Sequence, residues 1–73
     1  MNFKAIILIK SPRNPIADKV AKLKGVKDAF NVYGRFDAIA LVEAKDLSEV
    51  KKLVLEIQKI EGVRRTETLI NVE

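Results

Sequence analysis

The 73-residue chain contains no cysteine, no histidine and no tryptophan. Without cysteine there are no disulfide bonds, and without cysteine or histidine there is almost no means of building a structural zinc site. A domain of this length buries only about 60% of its unfolded surface, so self-association is the main stabiliser left to so small a core. We expect no metal and no cofactor.

A long apolar run is also missing. The run at residues 5–9 is only five residues long and is flanked by lysines, whereas a membrane span needs about 20 apolar residues. No feature of a cleaved signal peptide follows this run. We therefore expect a cytoplasmic protein with no membrane contact. Abundant lysine and glutamate are typical of proteins from thermophiles.

The apolar residues that are present predict four strands and two helices. Strands are predicted over residues 3–10, 26–33, 37–44 and 63–72. A first helix is predicted from an Asn14 cap to about residue 24, and a second from a capping box at residues 46–49 to about residue 60. Glycines at the ends of these helices, Gly25 and Gly62, begin a motif that repeats at an offset of 37 residues. In the second strand, Val26, Phe30 and Val32 are expected to share one face.

This order of elements predicts an α+β, ferredoxin-like βαββαβ domain. Its four-stranded antiparallel sheet should have the order 4-1-3-2, with both helices on one face. Strands one and three should form the central pair, which we expect to run parallel. No linker or change of composition divides the chain, so residues 1–73 are predicted to form a single domain.

The two central strands are apolar on both sides. In the first, Ile7 and Ile9 alternate with Ile6 and Leu8; in the third, Ile39 and Leu41 alternate with Ala38, Ala40 and Val42. Two helices cover only one side of the sheet, and soluble monomers seldom expose a large contiguous apolar patch. We therefore predict that a second copy covers the other side with two-fold symmetry.

The predicted turn between strands two and three concentrates functional groups. It consists of Tyr33, Gly34, Arg35, Phe36 and Asp37. Asp37 can receive an ammonium group, Arg35 can bind a carboxylate through two hydrogen bonds, and Gly34 gives access to backbone amides. Thr66 and Thr68 add hydroxyls from strand four. Together these groups suit a zwitterion such as an amino acid; the simpler interpretation is an exposed ion pair between Arg35 and Asp37.

Other activities have less support. Arg13 and Asn14 are similar to the arginine and asparagine of acylphosphatases, but Ser11-Pro12 does not provide a phosphate-binding loop, and we expect no enzyme. Residues 1–35 carry eight basic and two acidic side chains, which suits a nucleic acid or a solvated helix face. Strand three has no aromatic residue for base stacking, so direct nucleic-acid binding is not expected.

Three features occur together in this sequence: the turn Gly34–Asp37 with its preceding Val32-Tyr33, the apolar strand after it, and the ending Val-Arg-Arg-Thr-Glu-Thr-Leu-Ile at 63–70. In this order and spacing they resemble the effector-binding domain of Lrp/AsnC transcription regulators. The resemblance implies a dimer with sheets packed face to face, assembly of dimers into rings, often octamers, and amino acids bound between dimers near this turn. Thr66 and Thr68 are the implied hydroxyl contributors. Phe36 replaces the more usual tyrosine and its phenol hydroxyl.

Regulators of this family begin with a DNA-binding domain, whereas this chain starts directly at strand one. The resemblance therefore implies a stand-alone member that senses an amino acid. One alternative is an interaction subunit that joins full-length Lrp/AsnC regulators without binding a ligand. A second is a small ferredoxin-like nucleic-acid-binding protein.

Overall fold

The structure, a computed structural model, describes residues 3–71. Its six elements follow one another as β1 (Phe3–Lys10), α1 (Ala17–Ala21), β2 (Val26–Asn31), β3 (Ala38–Ala44), α2 (Leu47–Gln58) and β4 (Arg65–Ile70). The predicted βαββαβ order is confirmed. Val72, the last residue of the predicted fourth strand, lies outside the described residues. Neither described helix is long and apolar enough to cross a membrane.

The four strands form one sheet in the order β2-β3-β1-β4, which is the predicted 4-1-3-2 order. Every neighbouring pair is antiparallel. The expectation that β1 and β3 run parallel is therefore wrong. The crossover through α1 makes β2 parallel to β1, and the turn after β2 then reverses the direction of β3.

The first helix covers Ala17–Ala21 and is shorter than the predicted one, which runs from an Asn14 cap to about residue 24. Asn14 does not cap it; the carbonyl oxygen of Asn14 accepts a hydrogen bond from the Ser11 hydroxyl at 2.8 Å. Pro15 disfavours helical backbone in the residue before it, so the helix starts later. The Asn31 side chain accepts from the amide of Ala17 instead, at 3.3 Å.

The second helix begins as the capping pattern predicts. The Asp46 side chain accepts a hydrogen bond from the amide of Glu49 at 3.0 Å. The Glu49 carboxylate accepts from the amide of Lys45 at 2.8 Å, one residue earlier than in a standard capping box. Gly25 and Gly62 both have φ near +100°, a backbone conformation that favours glycine. They do not end the helices directly, as predicted, because α1 ends at Ala21 and α2 at Gln58, each four residues earlier.

The core lies between the helices and one side of the sheet. Fully buried side chains from both layers meet there: Ile7 and Ile9 of β1, Ala38 and Ala40 of β3, Ile16 and Val20 around α1, and Val50 and Ile57 of α2. Alternate residues of the two central strands enter this core because successive strand side chains point to opposite sides.

A bulge in β2 changes which of its residues face the core. The register shifts between Val26, opposite Val42, and Asp28, opposite Leu41. The extra residue moves later side chains to the other side. Val26 packs against the core, while Phe30 lies opposite Ile39 on the uncovered side. The prediction that Val26 and Phe30 share a face is therefore wrong.

The side of the sheet away from the helices is apolar at its centre, as predicted. We call this surface the open face; its apolar members are Ile6, Leu8, Phe30, Ile39, Leu41 and Leu69. Ile6 is 39% exposed, Phe30 42% and Leu69 48%. Nothing in the described part of the chain covers them.

We expect Ile57→Ala to lower the free energy of unfolding by about 2–5 kcal/mol, because it leaves a cavity in the core. Leu55, two residues earlier on the same helix, is 58% exposed. Leu55→Ala should therefore change stability by no more than about 0.5 kcal/mol. Urea unfolding of both variants tests this, and equal losses would contradict the assigned helix orientation.

Candidate functional site

Three loops meet at one end of the sheet, which we call the loop end. They are residues 11–16 after β1, residues 32–37 between β2 and β3, and residues 59–64 between α2 and β4. Backbone hydrogen bonds fix two of them to β1: the amide of Asp37 donates to Ile9 and the amide of Arg64 donates to Lys10, each at 2.8 Å. The candidate residues are thus held on a rigid frame.

The turn predicted from the sequence is present at the loop end. It is closed by a hydrogen bond from the amide of Val32 to the carbonyl oxygen of Asp37 at 2.9 Å. Gly34 has φ +141°, and a Cβ placed there would have no atom within 4 Å. Tyr33 and Arg35 are exposed and Phe36 is half-buried. The backbone at Gly34 and the guanidinium of Arg35 are therefore accessible to a ligand.

The carboxylate of Asp37 is engaged within the chain. Its Oδ2 accepts a hydrogen bond from the amide of Ser11 at 2.8 Å and lies 3.6 Å from the Nζ of Lys10. The exposed pair of Arg35 with Asp37 is thus not formed. Asp37 instead joins the turn to the loop after β1. A carboxylate has about four acceptor positions, so it can still accept from an incoming ammonium group.

Thr66 and Thr68 lie on the helix side of the sheet. Thr66 is opposite Ile9 and Thr68 opposite Ile7, both buried. The Thr66 hydroxyl accepts a hydrogen bond from the side chain of Gln58 at 3.0 Å. Ile9 is also opposite Ala38, so Thr66 is two strand spacings, about 10 Å, from the start of β3.

The predicted residues therefore share one end of the sheet but not one side of it. Lys10, which reaches Asp37, alternates with buried Ile9 and so belongs to the open face, whereas Thr66 and Thr68 belong to the helix side. One chain does not gather both sets around a common ligand.

Three clefts of the described surface are lined by other residues. One of about 640 Å³ lies at the end of the sheet away from the loops and includes Ile6, Leu41 and Leu69 of the open face. A second, of about 610 Å³, lies between α2 and the turn at Gly25. A third, of about 250 Å³, lies at the loop end between residues 12–14 and 62–64. Sequence reasoning missed the third because its two walls are distant in the chain.

A metal site would need acidic side chains that cluster as metal ligands do. Across residues 3–71, no group of three or more acidic side chains is arranged to hold a metal ion.

The comparison with known protein families agrees with the fold. The family model for the Lrp/AsnC ligand binding domain matches residues 4–73. The chain belongs to this family. Residues of both the turn and β4 fall inside the matched region, so the Lrp/AsnC domain accounts for every element of the described structure.

Curated relatives of this Lrp/AsnC domain include regulators and an enzyme. The transcriptional regulator LysM of Sulfurisphaera tokodaii is 27% identical over 71 residues, covering 92% of this chain and 51% of the regulator. The regulator PF0250 of Pyrococcus furiosus is 35% identical over 57 residues, covering 77% of this chain and 38% of that regulator. Homocitrate synthase of Sulfolobus acidocaldarius is 28% identical over 71 residues, covering 92% of this chain but only 15% of the synthase. The chain spans about half the length of LysM and a small part of the synthase.

Solved structures include two of similar length. TTHA0845 from Thermus thermophilus superposes with a TM-score of 0.90 at 35% identity, covering 97% of this chain and 94% of that one. PHS023 from Pyrococcus horikoshii superposes with a TM-score of 0.84 at 28% identity, covering 97% of this chain and 90% of that one. AsnC of E. coli superposes with a TM-score of 0.81 at 20% identity, covering 97% of this chain and 51% of that one. This similarity shows the shared fold.

We expect Asp37→Ala to destabilise the domain by about 1–2 kcal/mol, because the amide of Ser11 and the ammonium of Lys10 lose their acceptor. Asp18→Ala is the matched control, since Asp18 is exposed in the first turn of α1. It should cost no more than about 0.5 kcal/mol. Chemical unfolding compares them, and similar values would mean that Asp37 does not support the loop end.

Proposed function

We propose that this Lrp/AsnC domain is a stand-alone, self-associating regulatory domain that binds an amino acid or a similar small zwitterion. The observation that carries the proposal is the turn at the loop end, where Gly34, Arg35 and Asp37 offer an accessible backbone, a free guanidinium and a carboxylate together. We propose a non-enzymatic role, because the family is defined by ligand binding and the turn offers recognition groups.

Each part of a zwitterion has a counterpart in the proposed site. Arg35 has no carboxylate partner among residues 3–71, so it is available to a ligand carboxylate. Asp37 accepts the ammonium group beside its bonds to Ser11 and Lys10. Tyr33 and Phe36 supply apolar surface next to these charges.

Assembly completes this site in two steps. First, two copies cover each other's open face, since burial of apolar surface is favourable by about 25 cal/mol per Å². Second, dimers associate into a higher oligomer, so that the turn of one chain approaches Thr66 and Thr68 of another. The division of these residues between the two sides of one sheet supports this arrangement.

The lengths of the matched proteins support the proposal of an independent domain. TTHA0845 and PHS023 are matched over nearly their whole length, whereas LysM is about twice as long as the match. We propose that the domain acts alone or joins full-length Lrp/AsnC regulators, and that a separate chain supplies contact with DNA. We propose a cytoplasmic location for this role.

A second candidate function is an interaction subunit that binds no ligand. The engagement of Asp37 by Lys10 and Ser11 favours it, because the carboxylate needs no ligand to be satisfied. In this case the oligomer forms but amino acids have no effect on it.

The ligand proposal is tested by a thermal-shift screen of the twenty amino acids, followed by calorimetry. At least one amino acid should raise the melting temperature, and Arg35→Gln should weaken its binding about tenfold or more, since charged hydrogen bonds contribute about 1.5–3 kcal/mol. Lys22→Gln, at the opposite end of the molecule, is the control for loss of one positive charge. No response of the folded protein to any amino acid would favour the interaction subunit.

The open face is tested with Ile6→Glu and Leu55→Glu. Both positions are exposed in a single chain, at 39% and 58%, but Ile6 lies on the open face and Leu55 on the outer side of α2. Because a charge at the centre of an apolar interface is unfavourable, Ile6→Glu should yield monomers on a sizing column with light scattering. Leu55→Glu should retain the mass of the unmodified protein. Equal behaviour would contradict an interface at the open face.

A further inference from the structure

All four arginines of the chain lie at the loop end. They are Arg13 after β1, Arg35 in the turn before β3, and Arg64 and Arg65 at the start of β4. The lysines are instead spread over both ends of the molecule. A guanidinium binds carboxylate and phosphate groups through paired hydrogen bonds, which an ammonium group does not. The distribution of arginine therefore makes the loop end a candidate region for anion binding.

Two of these arginines line the loop-end cleft of about 250 Å³. Pro12, Arg13 and Asn14 form one wall, and Gly62, Val63 and Arg64 form the other. None of these six residues is acidic. Within residues 3–71, neither arginine has a carboxylate partner. The lining of the cleft therefore includes two arginines without a carboxylate partner among residues 3–71, and one asparagine.

Hydrogen bonds hold both walls in place. The hydroxyl of buried Ser11 donates to the carbonyl oxygen of Asn14 at 2.8 Å, which folds the first wall back on itself. The amide of Arg64 donates to Lys10 at 2.8 Å and fixes the second wall to β1. Walls formed in advance reduce the ordering cost of binding.

Gly62 allows the walls to approach each other. Its φ is +100°, and a Cβ there would lie 2.8 Å from the Nδ2 of Asn14 and 3.4 Å from the Oγ of Ser11. The glycine thus has a packing role in addition to ending the segment after α2. The absence of a side chain at Gly62 leaves room for the side-chain amide of Asn14.

Acidic groups near the cleft do not cancel its charge. Asp37 is paired with Lys10 and accepts from the amide of Ser11. Glu61 precedes the second wall but is exposed and is not part of the lining. Glu67 is opposite Leu8, on the open face. The cleft itself remains positive.

We propose that this cleft is a binding site for a small oxyanion, a compound that carries a phosphate group or two carboxylates. Its volume corresponds to about eight water molecules at about 30 Å³ each, which suits a small metabolite. The site is separate from the turn residues that we propose for the amino acid. Arg13 and Asn14 suggested an anion site in the sequence but lacked a complete loop; residues 62–64 provide the missing wall.

The test is a calorimetric titration with inorganic phosphate and, separately, with succinate, each at constant ionic strength adjusted with sodium chloride. At least one of the two should bind saturably. Arg13→Gln and Arg64→Gln should each weaken that binding about tenfold or more, because each removes a charged hydrogen-bond donor. Lys51→Gln, an exposed residue of α2, removes the same charge elsewhere and should keep affinity within about twofold. The preferred probe shows whether the ligand resembles a phosphate or a dicarboxylate.

Two results would overturn the proposal: no saturable binding of either anion, or an equal loss in Lys51→Gln, which would indicate attraction by net charge. Circular dichroism confirms that each variant is folded, and both arginines are exposed. Should one variant fail to fold, Asn14→Ala tests the same wall. Neither probe is an amino acid, so a failure here leaves the amino-acid screen unaffected, and a failed screen leaves this site intact.

Discussion

The structure depends on two central strands that are apolar on both sides. Helices α1 and α2 cover one side, where Ile7 and Ile9 are fully buried. The alternate residues Ile6 and Leu41 cannot enter the same core, because strand side chains point to opposite sides. The open face is therefore built into the strands that hold the domain together. The proposed second copy on the open face would add the stabilisation that a 73-residue core lacks.

The same antiparallel topology gathers the functional groups at the loop end. Strands β1 and β2 and helix α2 all finish there, so the loops that follow them are neighbours. Asp37 links two of these loops by accepting from Ser11. The turn therefore has a supporting role as well as the proposed recognition role, and a change at Asp37 affects both. Arg35 has no carboxylate partner among residues 3–71, so a change at Arg35 should affect the proposed recognition without affecting stability.

Much of the fold could be predicted from residue patterns, while the errors have local causes. Alternation in β1 and β3 predicted the sheet and its open face, and Asp46 predicted the start of α2. The late start of α1 depends on Pro15 and the bonds of Ser11, and the face of Phe30 depends on a bulge. The candidate turn could be recognised in the sequence. The partners of its Asp37 carboxylate, Lys10 and Ser11, could not, because they lie at the end of another strand. The loop-end cleft joins segments about fifty residues apart, so no local pattern reveals it.

Sedimentation equilibrium of the unmodified protein at micromolar concentration tests the central claim most directly. The account predicts a mass of at least twice 8.2 kDa, because a second copy covers the open face. A well-folded species of 8.2 kDa would contradict it.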